Sequence, residues 1–447
     1  MLFGLVLEAE TMGVWSNPFR RRWIVWTALA TAFLLVNVHR LSTAVLSADL
    51  MRAFDTTGTA LGTLHSAFFY VYAPMQVIAG VLADRLGIRR TATAGTVVMS
   101  LGGLAFGLAD SYLVAFLARL CIGLGGSVVF IAILRFCANW FRPGEFATMN
   151  GLTVGVAGLG GILATTPLAV TVATLGVRTA LLGIGTVGLL IATAVWLLAR
   201  DTPGDAGLRP LDDVPSTPTL SLREVGRNVR TVFAERETWL AGLALFTSTG
   251  LNITVLGLWG VPYVSQVYDV SITTASTLTL LGSVGLLVGP PVVGRVSDGL
   301  GRRTELMVLG AVCYTGTFAV LSLVGKPPFL VVGLLFFIVS FLAGGYALGY
   351  TVVKNRHGAG ASGVATGAVN AVAFAGAAVF PTAMGAVLDA YWTNETVAGA
   401  RVYTILGYRL MFGLAAAGGF VSLLCVSYLH LRTRRVGTAA EGGAVEG

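Results

Sequence analysis

Charge is scarce in this chain. Only 11% of its 447 residues are Asp, Glu, Lys or Arg, against about 25% in a water-soluble domain. With 55% hydrophobic residues and a mean hydropathy of +0.81, the apolar surface is too large to hide inside a globule that faces water. That excludes a soluble enzyme and puts the chain in a lipid bilayer, its largest partner. Cysteine is scarce too. Cys121, Cys137, Cys313 and Cys425 lie on or near the ends of apolar segments with no metal-ligand spacing, and read as small hydrophobes in helix packing. No catalytic triad, zinc motif or phosphate-binding loop occurs, so neither an enzymatic activity nor a cofactor is expected. Glycines crowd 123–126 and 151–161 inside apolar segments; there they let helices approach closely and do not build a nucleotide loop. The start shows no cleavable signal peptide, and Met12 is a second candidate for initiation.

The most telling absence is of acid within the apolar runs. All 21 Asp and Glu fall in loops or at segment ends. Ionisable groups inside the membrane are costly and mark function. Proton-driven symporters and drug exporters that rely on a buried carboxylate are therefore disfavoured, which leaves histidine as the protonatable alternative.

Twelve apolar stretches are long enough to cross a bilayer, which takes roughly 20 residues: 23–46, 60–82, 91–109, 112–138, 147–172, 179–199, 238–263, 275–293, 305–324, 329–352, 363–388 and 409–431. Of the 29 Lys and Arg, 22 fall on the side that holds the N-terminus. That bias places both termini in the cytoplasm. The net charge of +8 is thus a topology signal and does not call for nucleic acid. The chain divides into a cytoplasmic segment 1–22, a six-helix bundle 23–199, a cytoplasmic linker 200–237, a second six-helix bundle 238–431 and a cytoplasmic tail 432–447. The linker opens with Pro203, Pro210, Pro215 and Pro218. Ser221 and Glu224 then have the spacing of a capping box. Leu222, Val225, Val229 and Val232 recur at helical spacing, which predicts an amphipathic helix on the inner membrane surface. Gly289-Pro290-Pro291 predicts a kink in the eighth stretch, and Pro74, Pro167, Pro262 and Pro381 are candidate bends.

Two charged turns occupy matching places in the halves. Gly80, Asp84 and Gly87 are followed by Arg89 and Arg90; Gly294, Asp298 and Gly301 are followed by Arg302 and Arg303. They start 214 residues apart, and a repeat on that scale implies two similar units. Asn150 and Asn370 open the fifth and eleventh stretches as a second echo. The charged turn resembles the signature loop of the major facilitator superfamily of transporters. The resemblance implies twelve transmembrane helices, two pseudo-symmetric six-helix bundles around a central cavity, and transport by alternating access. Asp84, Arg85, Arg89, Arg90, Asp298, Arg302 and Arg303 would form the inner gate, with turns set by Gly80, Gly87, Gly294 and Gly301. Arg119 opens an R-x-x-x-G run similar to that of the superfamily's fourth helix; it either gates or anchors the outer end. Arg135 and Lys354 sit at corresponding inner ends and either anchor at the interface or draw anions into a vestibule.

Asn37, His39 and Arg40 lie in the first stretch. Arg40 is nine residues before Asp49, about 13 Å below the outer end. His65 enters the second stretch from the same side, roughly 8 Å deep. His65, Phe69, Tyr72 and Gln76 form one helical stripe. A buried cation without a carboxylate partner wants an anion; the alternatives are that Arg40 snorkels to the headgroups and that His65 is hydrogen-bonded structure. Arg40 also falls where the organophosphate/phosphate antiporter branch of the superfamily has a phosphate-binding arginine. Asn252 stands near the place of that branch's second arginine, which points away from a doubly charged phosphate and toward a carboxylate, amino acid or peptide. Tyr346, Tyr350 and Asn370 either line the cavity or bridge helices.

The expectation is a permease, an antiporter in the manner of that branch, for a small anionic organic solute. It would be a monomer in a bacterial or archaeal plasma membrane. Arg40 would hold the anion; Asn37, His39, His65, Tyr72, Gln76, Asn252, Tyr346, Tyr350 and Asn370 would shape the pocket. A solute sensor and a hydrophobic-drug exporter are the other classes. Cysteine probes check the orientation. Asn394→Cys should react with an impermeant reagent in intact cells and Gly442→Cys only after permeabilisation; labelling of position 442 from outside contradicts the topology.

Overall fold

The computed structural model describes residues 17–208, 222–300, 302–346, 349, 353, 359–397 and 399–443. Nearly all of them are helical. In the N-terminal half, α1 (Pro18–Leu41) and α2 (Thr43–Phe54) form one interrupted crossing. They are followed by α3 (Gly58–Leu86), α4 (Ile88–Gly107), α5 (Tyr112–Trp140), α6 (Pro143–Leu163) with α7 (Thr166–Leu175), and α8 (Val177–Leu198). The linker helix is α9 (Leu222–Ala234). The C-terminal half runs α10 (Arg236–Thr254), a π-helical turn Val255–Trp259, α11 (Gly260–Tyr268), α12 (Ile272–Leu300), α13 (Arg303–Val324), α14 (Phe329–Tyr346), α15 (Ala359–Ala390) and α16 (Ile405–Gly443). Ten helical crossings are long and apolar enough to span a membrane among the described residues. The 20-residue α4, which carries Arg89 and Arg90 in its first turn, and α14, apolar over Phe329–Ala343, complete the expected twelve.

Local chemistry explains the breaks. The Asn17 and Thr57 side chains accept from the Phe19 and Ala60 amides and start α1 and α3. Gly87, at φ 81°, takes a conformation that disfavours other residues and turns the chain from α3 into α4. The fifth crossing breaks at Ala164–Thr165, just before Pro167. The seventh relaxes into its π turn just ahead of Pro262, which has no N–H to give the Leu258 carbonyl. By contrast, α12 stays helical through Pro290 and Pro291. The first crossing breaks at Ser42 and runs on to Phe54, beyond the apolar run, so Arg40 lies further from the helix end than the sequence count implied.

Large apolar side chains cover the outside. Leu330 is 78% exposed, Leu323 72% and Leu190 66%, a surface suited to lipid and unsuited to water. Within each half the helices meet over small residues. On α5, Gly123 rests against the Phe68 backbone of α3 and Gly125 against Gly95 and Met99 of α4, where a Cβ would collide. Arg22 makes a two-pronged pair with Glu145 (2.9 Å on each arm), tying α1 to α6. The linker helix α9 has Arg227 and Arg230 exposed and Val232 buried, and packs against α15; Ser221 of the expected capping box lies outside the described residues.

Between the halves, α3 against α15 is the main contact, with α6 and α7 against α12 on the other side. One feature lay outside every sequence expectation: a two-stranded hairpin, β1 (Trp392–Val397) and β2 (Ala400–Tyr403), connects α15 to α16. It stands on the face opposite the basic turns.

Candidate solute site

The residues of α1, α3 and α15 converge on Arg40. Its Nη1 donates to Asn37 Oδ1 one turn earlier (3.2 Å), and Asn37 Nδ2 donates back to the Phe33 carbonyl. The guanidinium lies 4.9 Å from the ring centroids of both Tyr72 on α3 and Phe374 on α15, and 5.9 Å from Phe68. Aromatic faces at that range stabilise the cation. Nε and Nη2 are buried without a hydrogen-bond partner, and no carboxylate pairs with this arginine, among the described residues. Those two nitrogens form the side-on fork that receives a carboxylate through two parallel bonds.

Tyr72 and Gln76 are buried on the expected stripe. The Tyr72 ring meets Phe374 edge-on at 4.8 Å. Gln76 Oε1 accepts from Asn370 Nδ2 (2.8 Å), which joins α3 to α15 just beyond the aromatic pair. Phe374, missed in the sequence, is one turn after Asn370 on the same helix face; that spacing was the available signal.

His65 is fully buried, with both ring nitrogens lacking partners among the described residues. A Cβ on Gly257, in the π turn of the seventh crossing, would meet its Cε1 at 3.0 Å and the Arg40 carbonyl at 3.4 Å. The expected approach of His65 to Arg40 is therefore a junction of both with the opposite half. His39 points elsewhere, its ring against Gly103 on α4.

Arg119 does not anchor at a membrane surface. It is fully buried, its Nη1 donating to the His39 carbonyl (2.7 Å) and its Nη2 to the His65 carbonyl (3.4 Å). It clamps α1 and α3 directly behind the Arg40 pocket. Asn252 turns into its own half, donating to Ser340 Oγ (2.9 Å) across to α14. Tyr346 packs edge-on against Tyr314 of α13 (5.5 Å). Both bridge helices within the C-terminal half. Tyr350 and Lys354 lie outside the described residues.

At the basic face, Asp84 pairs with Arg135 of α5 (2.5 Å), within one half. Arg89 donates Nε to the Trp196 carbonyl (2.7 Å) and its backbone N–H to Asp201 (2.8 Å), and stacks over the Trp196 ring. Arg85 and Arg90 are exposed, and Gly80 and Gly294 border open space. In the second turn Arg302 pairs loosely with Glu305 (3.5 Å). Asp298 lies in the last turn of α12, Arg303 opens α13, and Gly301 lies outside the described residues.

The sequence profile of the Major Facilitator Superfamily matches residues 25–381 and, in a second match, 243–445. The chain belongs to that superfamily. It is a membrane transporter, not an enzyme. Its fold superposes on the inward-facing crystal structure of a bacterial homologue of the human lysosomal transporter Spinster, with a TM-score of 0.71 over 93% of this chain and 97% of that one at 16% identity. Among curated relatives, an uncharacterised transporter of Bacillus subtilis, YybO, is 24% identical over 59% of this chain. A probable sulfoacetate transporter of Cupriavidus necator, SauU, is 23% identical over 67%. The chain spans 62% of the first relative's length and 71% of the second's.

Two substitutions test the Arg119 clamp and the gating expected of Asp84. Arg119→Ala removes both charge-assisted bonds that clamp α1 to α3, to the His39 and His65 carbonyls, and should cost about 2–4 kcal/mol of stability, read as a lower Tm in detergent. Asp84→Asn should leave Tm and expression near wild type while slowing turnover in vesicles roughly tenfold through the balance of states. Unchanged Tm in the first, or unchanged turnover in the second, contradicts the assigned role.

Proposed function

We propose that the protein carries a small organic anion, with a carboxylate or sulfonate head, across the membrane by alternating access, and that Arg40 is the residue that holds the head. The observation that carries this reading is the Nε–Nη2 edge of Arg40, buried beside Tyr72 and Phe374 and unpartnered among the described residues. A guanidinium inside a membrane protein is costly unless something answers its charge, and an arriving anion supplies both charge and acceptors. Similarity to a probable sulfoacetate transporter supports the substrate class. Tyr72, Gln76, Asn370 and Asn37 shape the pocket around the head. His65, behind it, faces the junction of the halves.

In this reading the halves 23–199 and 238–431 move as units joined by the linker 200–237. The basic face lies in the cytoplasm with both termini, in a bacterial or archaeal plasma membrane, and one chain suffices for transport. The turns at Asp84 and Asp298 gate the cytoplasmic side, each shifting the equilibrium between two packings.

Isotherms of wild type, Arg40→Lys and Arg40→Ala against a panel of small carboxylates and sulfonates, sulfoacetate included, test the site. Arg40→Ala should lose roughly 2–5 kcal/mol of affinity, as when one member of a buried charge pair is truncated. Arg40→Lys should recover part of the loss, keeping the charge without the fork. Equal affinity in all three contradicts the assignment.

A further inference from the structure

We propose that Asp389 and the hairpin after it form a latch that holds the two halves together on the face opposite the basic turns, and that releasing this latch is a required step in opening the transporter to that side.

Asp389 is near the end of α15, in the C-terminal half, and its carboxylate caps the first turn of α3, in the N-terminal half. Oδ1 accepts from the Gly58 amide (2.8 Å). Oδ2 accepts from the Thr59 amide (2.8 Å) and the Thr59 hydroxyl (2.6 Å). An ionised acceptor makes each bond stronger than a neutral one, and the positive end of α3 adds to the attraction. Arg401 of β2 braces the same carboxylate from behind (3.3 Å).

The backbones below the carboxylate are in direct contact. Gly62 lies against the Pro381 carbonyl and Gly385 against the Gly58 carbonyl, with no room for a Cβ at either. Thr63 and Ser66 bring their hydroxyls to Thr382 (3.3 and 3.4 Å). These contacts join α3 to α15 across the two halves.

The hairpin is the strap. It is fixed to the C-terminal half through Gln266 of α11, whose Nε2 donates to the Arg401 carbonyl (2.9 Å) and whose Oε1 accepts from the Tyr403 amide (3.0 Å). Its tip crosses to the other half, where Gly399 rests on the aliphatic stem of Arg52 in α2. The α3–α15 seam cannot part on this face without breaking the Asp389 cap and lifting the hairpin off α2. At the basic face the corresponding acid, Asp84, bonds within its own half, so no equivalent tie exists there among the described residues.

The latch can be tested without any solute, so failure of the anion site would leave it standing. Spin labels at Asp110→Cys and Lys326→Cys, exposed on this face in opposite halves, report the separation by pulsed electron resonance in a background with the native cysteines replaced. Asp389→Asn should raise the long-distance fraction about tenfold or more with Tm little changed. Thr59→Val, which removes one of three hydrogen bonds, should raise it by less. If Asp389→Asn does not fold, Thr59→Val carries the test. A distance distribution identical to wild type in the folded variant overturns the latch.

Discussion

A guanidinium held inside a membrane protein without a counter-charge among the described residues is the constraint around which this structure is arranged. The desolvation of a cation is not offset by aromatic faces alone. Arg40 nevertheless sits between Tyr72 and Phe374, with one hydrogen bond to Asn37 and its fork edge unpartnered among the described residues. Tyr72 and Phe374 come from α3 and α15, which belong to different halves. The unpartnered edge of Arg40 therefore lies where the halves meet. Arg119 fixes the frame behind it by holding the carbonyls of His39 and His65, so that α1 and α3 present their side chains in a set relation.

The same two helices explain why the faces differ. Each of α3 and α15 ends in an acid. Asp84 reaches Arg135 in its own half, whereas Asp389 reaches across to the start of α3. One acid makes its bonds inside its own half and the other spans the two. Under the proposed latch, solute access is a contest between contacts on opposite faces of the α3–α15 seam.

Much of the architecture was legible in the sequence because lipid forces it. Twelve apolar runs, a repeated charged turn and one amphipathic linker leave few alternatives to a two-half helical bundle. The stripe of His65, Phe69, Tyr72 and Gln76 was legible because helical spacing alone puts these residues on one face. What stayed hidden was the choice between lining a cavity and bridging helices. Asn252 and Tyr346 bridge because Ser340 and Tyr314 happen to face them, and that information lies far away in the chain. Arg119 stayed open between gate and outer anchor because a count of residues gives depth and says nothing of which carbonyls wait there. Asp389, just past the stretch 363–388, counted only as one of the acids in loops or at segment ends for the same reason: its partners are the amides of Gly58 and Thr59, over three hundred residues earlier.

The claim that one buried arginine selects anions is tested most directly from the ligand side. Purified protein would be warmed with small carboxylic and sulfonic acids and, in parallel, with their neutral methyl esters. The account predicts that at least one acid raises Tm in a saturable manner, that its ester does not, and that the difference vanishes in Arg40→Ala. Equal stabilisation by acid and ester would show that the pocket does not read charge, and would contradict it.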